Sequence, residues 1–444
     1  MATKNDLIEA QTFSRRRLLT AFISGAPGGK ELEPTAPLRA VIAAIALTVA
    51  VILVGVFWGL IRPGLPNGWE NGKLILVSDT GARFVTVEGA LHPVINTASA
   101  RLLLPSEDFA VISTDQSNLQ GVALGSTLGI VGAPDELPAP DRLQNAGWSA
   151  CVTDDAGVDV QIGAASAEAA AGRAVVVESD GERYVIDGER SYAVGAGESD
   201  AILRAAGITA LNPVDVSSDW LNLFTPGTPL EPLVVAGKGN VVPGADLAVG
   251  DVVHLTGTAE TERLLVQSNG ELAELSPLAW QLYQLGAGAS ATPIDVSGAD
   301  ISGLGTSARP AGGEDWPASG FQSIDGDERA CALLVDDGTE AHSVLAVQSA
   351  DTEASAGVHV EPGTGALLRA GGRGEQSTGI VTLVDATGTA YPLPGATEET
   401  VARLGYQVAD IGPVGDVWID LLKTGPALSE DAAGTSPSMA TPAG

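Results

Sequence analysis

One apolar run dominates the hydropathy pattern: Ala40 to Ile61 contains no charge and no proline, and only Thr48 interrupts it with a polar side chain. A helix rises about 1.5 Å per residue, so this run predicts a helix of about 33 Å, enough to cross a hydrocarbon core about 30 Å thick. A secretory signal has an apolar stretch of only about 7 to 15 residues behind a short basic start. Here a long segment precedes the run, and Phe57, Trp58, Leu60 and Ile61 end it. It therefore reads as a retained anchor rather than a cleaved leader.

Beyond the run the pattern shifts to short valine-rich stretches separated by turn residues, which predict strands. Leu74 to Val85 is a strand, a turn with Gly81 where positive φ is wanted, and a second strand. The pattern returns in Ala174 to Ile186, Leu264 to Leu272 and Ile380 to Pro392. A short helical stretch follows each hairpin: Thr97 to Leu103, Ser199 to Ala206, Leu278 to Leu285 and Glu398 to Leu404. The last three end at Gly207, Gly286 and Gly405, the residue type that closes helices in the left-handed conformation. Such units are too small to bury a core alone, and their spacing is too long for a tightly stacked solenoid.

These patterns predict an α+β protein, with an N-terminal helix, a single transmembrane helix and an elongated region of four small β-hairpin/helix repeats around a β-rich core. The expected organisation is an amphipathic arm over 1–39, a transmembrane helix over 40–61, repeat 1 over 62–104 and the first half of the core over 105–170. Repeat 2 follows over 171–215, repeat 3 with its linker over 216–289, the second half of the core over 290–376 and repeat 4 over 377–427. Gly286 to Gly313 and Gly363 to Gly379 read as surface loops, and 428–444 as a disordered tail. In the arm, Asp6 and Glu9 resemble an N-cap and its return partner, and Leu18, Leu19, Phe22 and Ile23 form an apolar face beside Arg15, Arg16 and Arg17. The arm stops at Gly25-Ala26-Pro27-Gly28-Gly29 and is suited to the inner leaflet or to a cytoplasmic neighbour.

Charge sets the expected orientation. The arm carries Lys4, Arg15, Arg16, Arg17, Lys30 and Arg39 against Asp6, Glu9, Glu31 and Glu33, whereas the whole chain has a net charge of −32. Basic residues beside a span stay on the cytoplasmic side, so the N-terminus is expected inside and the acidic bulk outside, as a single-pass plasma-membrane protein. That acidity argues against nucleic acid, whose phosphates would be repelled. The two cysteines, Cys151 and Cys331, both follow the span and sit in similar surroundings, each running into an Asp-Asp pair and a glycine. In an oxidising compartment they are expected to join; two separate free thiols are the alternative.

The chain offers little chemistry. A phosphate-binding GxxxxGK[ST] loop wraps backbone N–H groups around phosphate and places a hydroxyl on Mg²⁺. Gly25 to Glu31 has the wrong spacing, with Glu31 where the hydroxyl belongs, and Val235 to Asn240 fails as well. There is no G-x-S-x-G and no H-E-x-x-H. His92, before Pro93, reads as a turn residue, and His254, His342 and His359 as packed or surface histidines. Asp154-Asp155 and Asp336-Asp337 read as turn residues, with a weak Ca²⁺ site as the alternative. No catalytic, cofactor-binding or metal site is expected. In the span, Gly55 and Gly59 form a GxxxG of the kind that lets membrane helices approach closely, and Trp58 reads as an interfacial anchor.

Over nearly its whole length the sequence resembles the EccB subunits of the actinobacterial type VII (ESX) secretion machinery. Glu9 to Gly29 (EAQTFSRRRLLTAFISGAPGG), the single span, Leu91 to Leu102 (LHPVINTASARL) and the two cysteines carry the likeness. It implies four repeat domains around a disulfide-bonded core. The implied partners are the FtsK/SpoIIIE-type ATPase subunit EccC, the polytopic subunit EccD, the further membrane subunit EccE and the mycosin protease, with self-association through the exterior domain and contact with membrane lipid. The expected function is that of a non-catalytic structural subunit bridging cytoplasmic components to an exterior vestibule for exported proteins. The alternatives are a peptidoglycan-binding anchor and an ATPase, a label some family members carry.

Overall fold

The computed structural model describes residues 3–24, 38–61, 65–163, 167–208, 213–338 and 340–437. The chain divides into two compact units, 1–66 and 67–444. The first holds two helices, Lys4–Ser24 and Leu38–Ile61. The amide and hydroxyl of Thr3 both donate to the Asp6 carboxylate, at 2.9 and 2.6 Å. Asp6 is thus the return partner of Thr3, and the helix starts earlier than the expected pairing of Asp6 with Glu9, because a hydroxyl stands three residues before Asp6. Arg15, Arg16 and Arg17 are exposed, and Leu18, Leu19, Phe22 and Ile23 are each more than half exposed within this unit. Among the described residues one helix is long and apolar enough to cross a membrane, with a mean hydropathy of 2.9 over Leu38–Phe57. The Gly25–Gly29 stop lies outside the described residues.

The second unit is built mostly of sheet. Among the described residues four sheets share one plan: a three-stranded antiparallel meander, a short helix, and return strands pairing parallel to the meander's outer strands. The first sheet has Leu74–Val77, Arg83–Val87 and Ala90–Pro93, the helix Thr97–Leu103, then Val111–Thr114 beside the first strand and Ala123–Leu124 beside the third. The second repeats this with Ala174–Ser179, Glu182–Asp187, Arg190–Ala193, helix Ser199–Ala205, Val214–Asp215 and Thr225–Pro226. The fourth uses Ala366–Gly371, Ile380–Val384, Thr389–Leu393, helix Glu398–Leu404, Gly412–Gly415 and Lys423–Thr424. The third has Val252–Leu255, Arg263–Val266, Leu272–Leu275, helix Pro277–Leu285 and Ile294–Val296, its last strand reduced to a single bridge between Leu272 and Thr306.

Several expectations are corrected here. Each unit is a meander, one strand larger than a hairpin: the expected pairs were strands one and two of the first and second sheets, but two and three of the third and fourth. Ala366–Gly371, inside the stretch read as a surface loop, is an inner strand of the fourth sheet with Ala366, Leu367 and Leu368 buried. The glycines around it hid a strand of six residues. Ile294–Val296 likewise interrupts the other expected loop. Val111–Thr114 and Ala123–Leu124, expected in the core half 105–170, pair with the first sheet, and Thr225–Pro226, expected with repeat 3, pairs with the second. Leu428, expected in a disordered tail, is fully buried, and Ser429 caps the helix Glu430–Ala433 by accepting from the Ala432 amide at 3.2 Å. Four helical residues are too few for periodicity to reveal. The remainder of that tail, 438–444, lies outside the described residues.

Helix closure also splits. Gly207 and Gly405 take φ of 81° and 99°, as expected. Gly286 does not: its φ is −103°, and a Cβ there would stand 2.7 Å from the Leu233 carbonyl oxygen, so close approach rather than handedness requires glycine.

The fifth sheet lies at the centre, in the order Gly357–Val360, Val158–Ile162, Ser149–Val152, Glu328–Asp336, Ala341–Ser349, Glu168–Ala169. One face presents Ala150, Val152, Val160, Ile162, Ala332, Leu334, Leu345 and Val347 to the largest core cluster, which the second and fourth sheets complete. Ala174–Ser179 therefore reads AVVV without alternation: Val175 and Val177 face this cluster, while Ala174 and Val176 face the sheet's own helix. The short helices pack in pairs. Leu102 of the first sheet's helix meets Val401 and Leu404 of the fourth's, and Ile202 and Leu203 of the second's meet Leu278 and Leu282 of the third's.

Candidate functional site: a disulfide-pinned centre behind a membrane anchor

Cys151 and Cys331 stand directly opposite one another on adjacent antiparallel strands, and they are joined, with Cα atoms 4.0 Å apart. Both are buried, with Ala167 and Ala346 packed around them. The bond closes a sequence separation of 180 residues that contains the whole of the second and third sheets. Constraining so long a loop in the unfolded chain stabilises the fold by roughly 2–4 kcal/mol.

On the opposite face three indoles fill the centre. Trp148, Trp220 and Trp418 are fully buried, and Trp148 meets Trp418 edge-on with ring centroids 6.2 Å apart. Each N–H is satisfied: Trp148 donates to the Gln144 carbonyl at 2.7 Å, Trp220 to the Ala150 carbonyl at 2.8 Å and Trp418 to the Ser343 hydroxyl at 2.9 Å. Trp220 and Trp418 come from short helices in the second and fourth sheets, so each unit inserts one indole into the central core. Sequence reasoning missed them. The signal was a shared spacing, Trp220-x-x-Leu223-x-x-x-Gly227 and Trp418-x-x-Leu421-x-x-x-Gly425.

That glycine has a partner. The amides of Gly125, Gly227 and Gly425 donate to Leu91, Ser191 and Ala390 on the third meander strand, and each glycine lies against the ring of the next residue, His92, Tyr192 or Tyr391. A Cβ would fall 2.3, 2.6 and 2.4 Å from those rings. In the third sheet the same amide contact runs from Ser307 to Leu272, and the ring position is Ala273. Small residue and ring are thus complementary. His92 is therefore a packing residue at the strand end, with Nδ1 3.0 Å from the Ser126 carbonyl.

The remaining histidines and acids are engaged locally. His342 is 3.4 Å from Glu189, and His254 is 2.9 Å from Asp295. Ser355, His359 and buried Asp159 form a trio, but one nitrogen, Nε2, faces both the Ser355 hydroxyl at 3.1 Å and the Asp159 carboxylate at 3.5 Å. A proton relay needs the carboxylate on the opposite ring nitrogen, so this trio fastens an edge strand instead. Asp154 pairs with Arg329 at 3.4 Å, Asp155 accepts from Thr153, and Asp336 and Asp337 accept turn amides from Gly338 and Glu340. Among the described residues no three His, Cys, Asp or Glu side chains are grouped to hold a metal ion. Lys238, in the second loop with a superficial likeness to a phosphate-binding loop, donates to the Ala287 carbonyl and lies over the Tyr283 ring. The first such loop, Gly25–Glu31, lies outside the described residues. Gly55 has open space beside it on the apolar helix; the side-chain surroundings of Trp58 and Gly59 lie outside the described residues.

A helix of membrane-crossing length followed by sheets tied through a buried disulfide defines a membrane-anchored, multi-sheet protein. The chain belongs to the family described as "Type VII secretion system ESX-1, transport TM domain B", the EccB family, whose profile matches residues 1–440. It is 28% identical to the ESX-3 secretion system ATPase EccB3 of Mycolicibacterium smegmatis, over 89% of this chain and 85% of that protein. It is 29% identical to EccB3 of Mycobacterium tuberculosis strain H37Rv, over 49% of this chain and 44% of that protein. Its fold matches a chain in the structure of an intact ESX-5 inner membrane complex with a TM-score of 0.68 and 21% identity, covering 100% of this chain and 98% of that one. It also matches the EccB3 dimer from the ESX-3 core complex, with a TM-score of 0.66 and 23% identity over 82% of this chain and 99% of that one.

Proposed function

We propose that this protein is a structural core subunit of a type VII secretion membrane complex. The match to the EccB family over residues 1–440 carries the reading. In it the basic arm with Arg15, Arg16 and Arg17 lies in the cytoplasm against partners or the inner leaflet, and Leu38–Ile61 crosses the plasma membrane. The four sheets of common plan are four copies of one repeat outside, bounded by about 67–131, 174–230, 252–307 and 366–428, with the central sheet as the core they share. Gly55 and Gly59 offer a surface for helix contact in the lipid. The expected partners are EccC, EccD, EccE and the mycosin protease, together with a second copy of this chain; the dimeric state of the EccB3 relative supports self-association. In this role the exterior domains wall a vestibule through which exported proteins pass.

The test is to purify the secretion-competent membrane complex. This chain is expected in it, and a competent complex lacking the chain would overturn the reading. The names of the mycobacterial relatives favour a second reading, ATP hydrolysis. Assaying the purified chain with and without residues 1–61 discriminates: a structural subunit has no hydrolysis above background in either form.

A further inference from the structure

On the third sheet His254 and Asp295 sit in register on the parallel strands Val252–Leu255 and Ile294–Val296. The His254 Nδ1 lies 2.9 Å from the Asp295 carboxylate, with the ring mostly covered and the carboxylate mostly in solvent. The other nitrogen, Nε2, is buried without a hydrogen-bond partner. When the neutral ring donates its Nδ1 proton to Asp295, Nε2 must present a lone pair. The bond across the two strands is then an ordinary one between a neutral donor and the carboxylate. The imidazolium makes it a charge-assisted bond, roughly twice as strong as a neutral one.

The strand at stake has little else to hold it. It has three residues and is the single return strand of the third sheet, where the second one is reduced to a bridge. The amide and hydroxyl of Thr256 donate to the Val296 carbonyl at 2.9 and 3.1 Å. The charged groups on the elements around the ring are Asp295 itself, Arg263 on the other neighbouring strand, and Glu260 and Glu262 in the turn between. Arg263 lies over the Trp280 ring at 5.2 Å. Asp300, beyond the strand, is occupied by the Ser297 amide and hydroxyl, and the helix Pro277–Leu285 carries no charge.

We propose that His254 is a proton-operated clasp: as imidazolium it ties the Ile294–Val296 strand to the third sheet through Asp295, and its deprotonation loosens that edge. The hydrogen bond to Asp295 holds the imidazole pKa above its ordinary value, with the Thr258 and Ala259 carbonyls adding to it and desolvation opposing it. The sign follows. A raised folded-state pKa makes the tie fully present below the ordinary imidazole value of about 6.5, and the tie is lost as pH rises through the raised one. Release would bare the edge of Val252–Leu255, an unpaired strand of the kind that accepts another chain.

Hydrogen–deuterium exchange on the full-length protein in detergent, corrected for intrinsic rates, tests this at pH 5.5 and pH 8. Peptides covering 292–300 are expected to lose protection several-fold at pH 8, while those covering Glu328–Asp336 stay unchanged. His254→Gln should exchange alike at both pH values. Asp295→Asn, at an exposed position that leaves folding intact, should remove most of the difference. The proposal is overturned by equal protection of 292–300 in the wild type at both pH values, or by a pH response that survives both substitutions.

Discussion

At Gly227 and Gly425 a single hydrogen atom leaves room for a tyrosine ring, and the consequence is measurable. Gly227→Ala and Gly425→Ala each force a methyl to within 2.6 and 2.4 Å of ring atoms, and overpacking of this kind costs roughly 1–3 kcal/mol. Ser307 already carries a Cβ opposite Ala273, so Ser307→Ala brings no overlap and should cost only the exposed hydroxyl's hydrogen bonds to the Arg309 carbonyl and amide, about 0.5–1.5 kcal/mol. Denaturant midpoints of the three variants check the contrast. The same scale carries the acid response. Glu328 is held below the ordinary glutamate range chiefly by its hydrogen bond to Arg173, and Glu399 chiefly by the Ser106 amide and then by Arg403. Carboxylates lowered on folding stabilise the native state above about pH 4.3 and lose that contribution as pH falls through their lowered values. Thermal unfolding should therefore move to lower temperature below about pH 4, and Glu328→Gln should lessen the slope. The shared spacing marked these glycines in the sequence, but their ring partners and the ion pairs could not be read there, because each depends on a residue brought close by another strand. The cysteines were legible because compartment and number alone argued for pairing.

Among the elements, the four helices that follow the meanders were read almost to the residue. Thr97–Leu103 and Glu398–Leu404 were found as expected, and the structure adds their caps, Asn96 accepting from the Ser99 amide and Thr397 from the Thr400 amide. The strands fared worse. RSYA and ALLRAG are four and six residues with small or charged members, and their place is fixed by neighbours rather than by their own alternation. The segment Leu428–Gly434 was lost for the same reason. Its burial gives it a job: Ala433 and Leu428 sit among Leu102, Val401 and Leu404, where the helices of the first and fourth sheets meet, and the Thr435 carbonyl accepts from the Gly129 amide. Leu428→Ala should cost about 2–5 kcal/mol. Hydrogen exchange should show the Thr97–Leu103 helix losing protection first, while the second and third sheets keep theirs.

For the whole molecule, an α+β chain with one apolar helix ahead of mostly sheet and a joined pair of cysteines was legible from the sequence, and the family likeness rested on the same features. What sequence could not supply was how the halves join: two hairpins pair antiparallel with the cysteines facing, and indoles from the second and fourth sheets close the opposite side. Replacing both Cys151 and Cys331 by Ser should lower stability by roughly 2–4 kcal/mol while leaving the indole-filled face in place. Chemical denaturation followed by tryptophan fluorescence would register both parts of that expectation. An assembly role draws on all of this, since a subunit that holds others in register must itself be rigid. The native mass of particles isolated through an affinity tag on this chain, extracted in mild detergent, tests that role most directly. The account predicts a large particle containing more than one copy of the chain together with other membrane proteins; recovery of the chain as a lone monomer from secreting cells would contradict it.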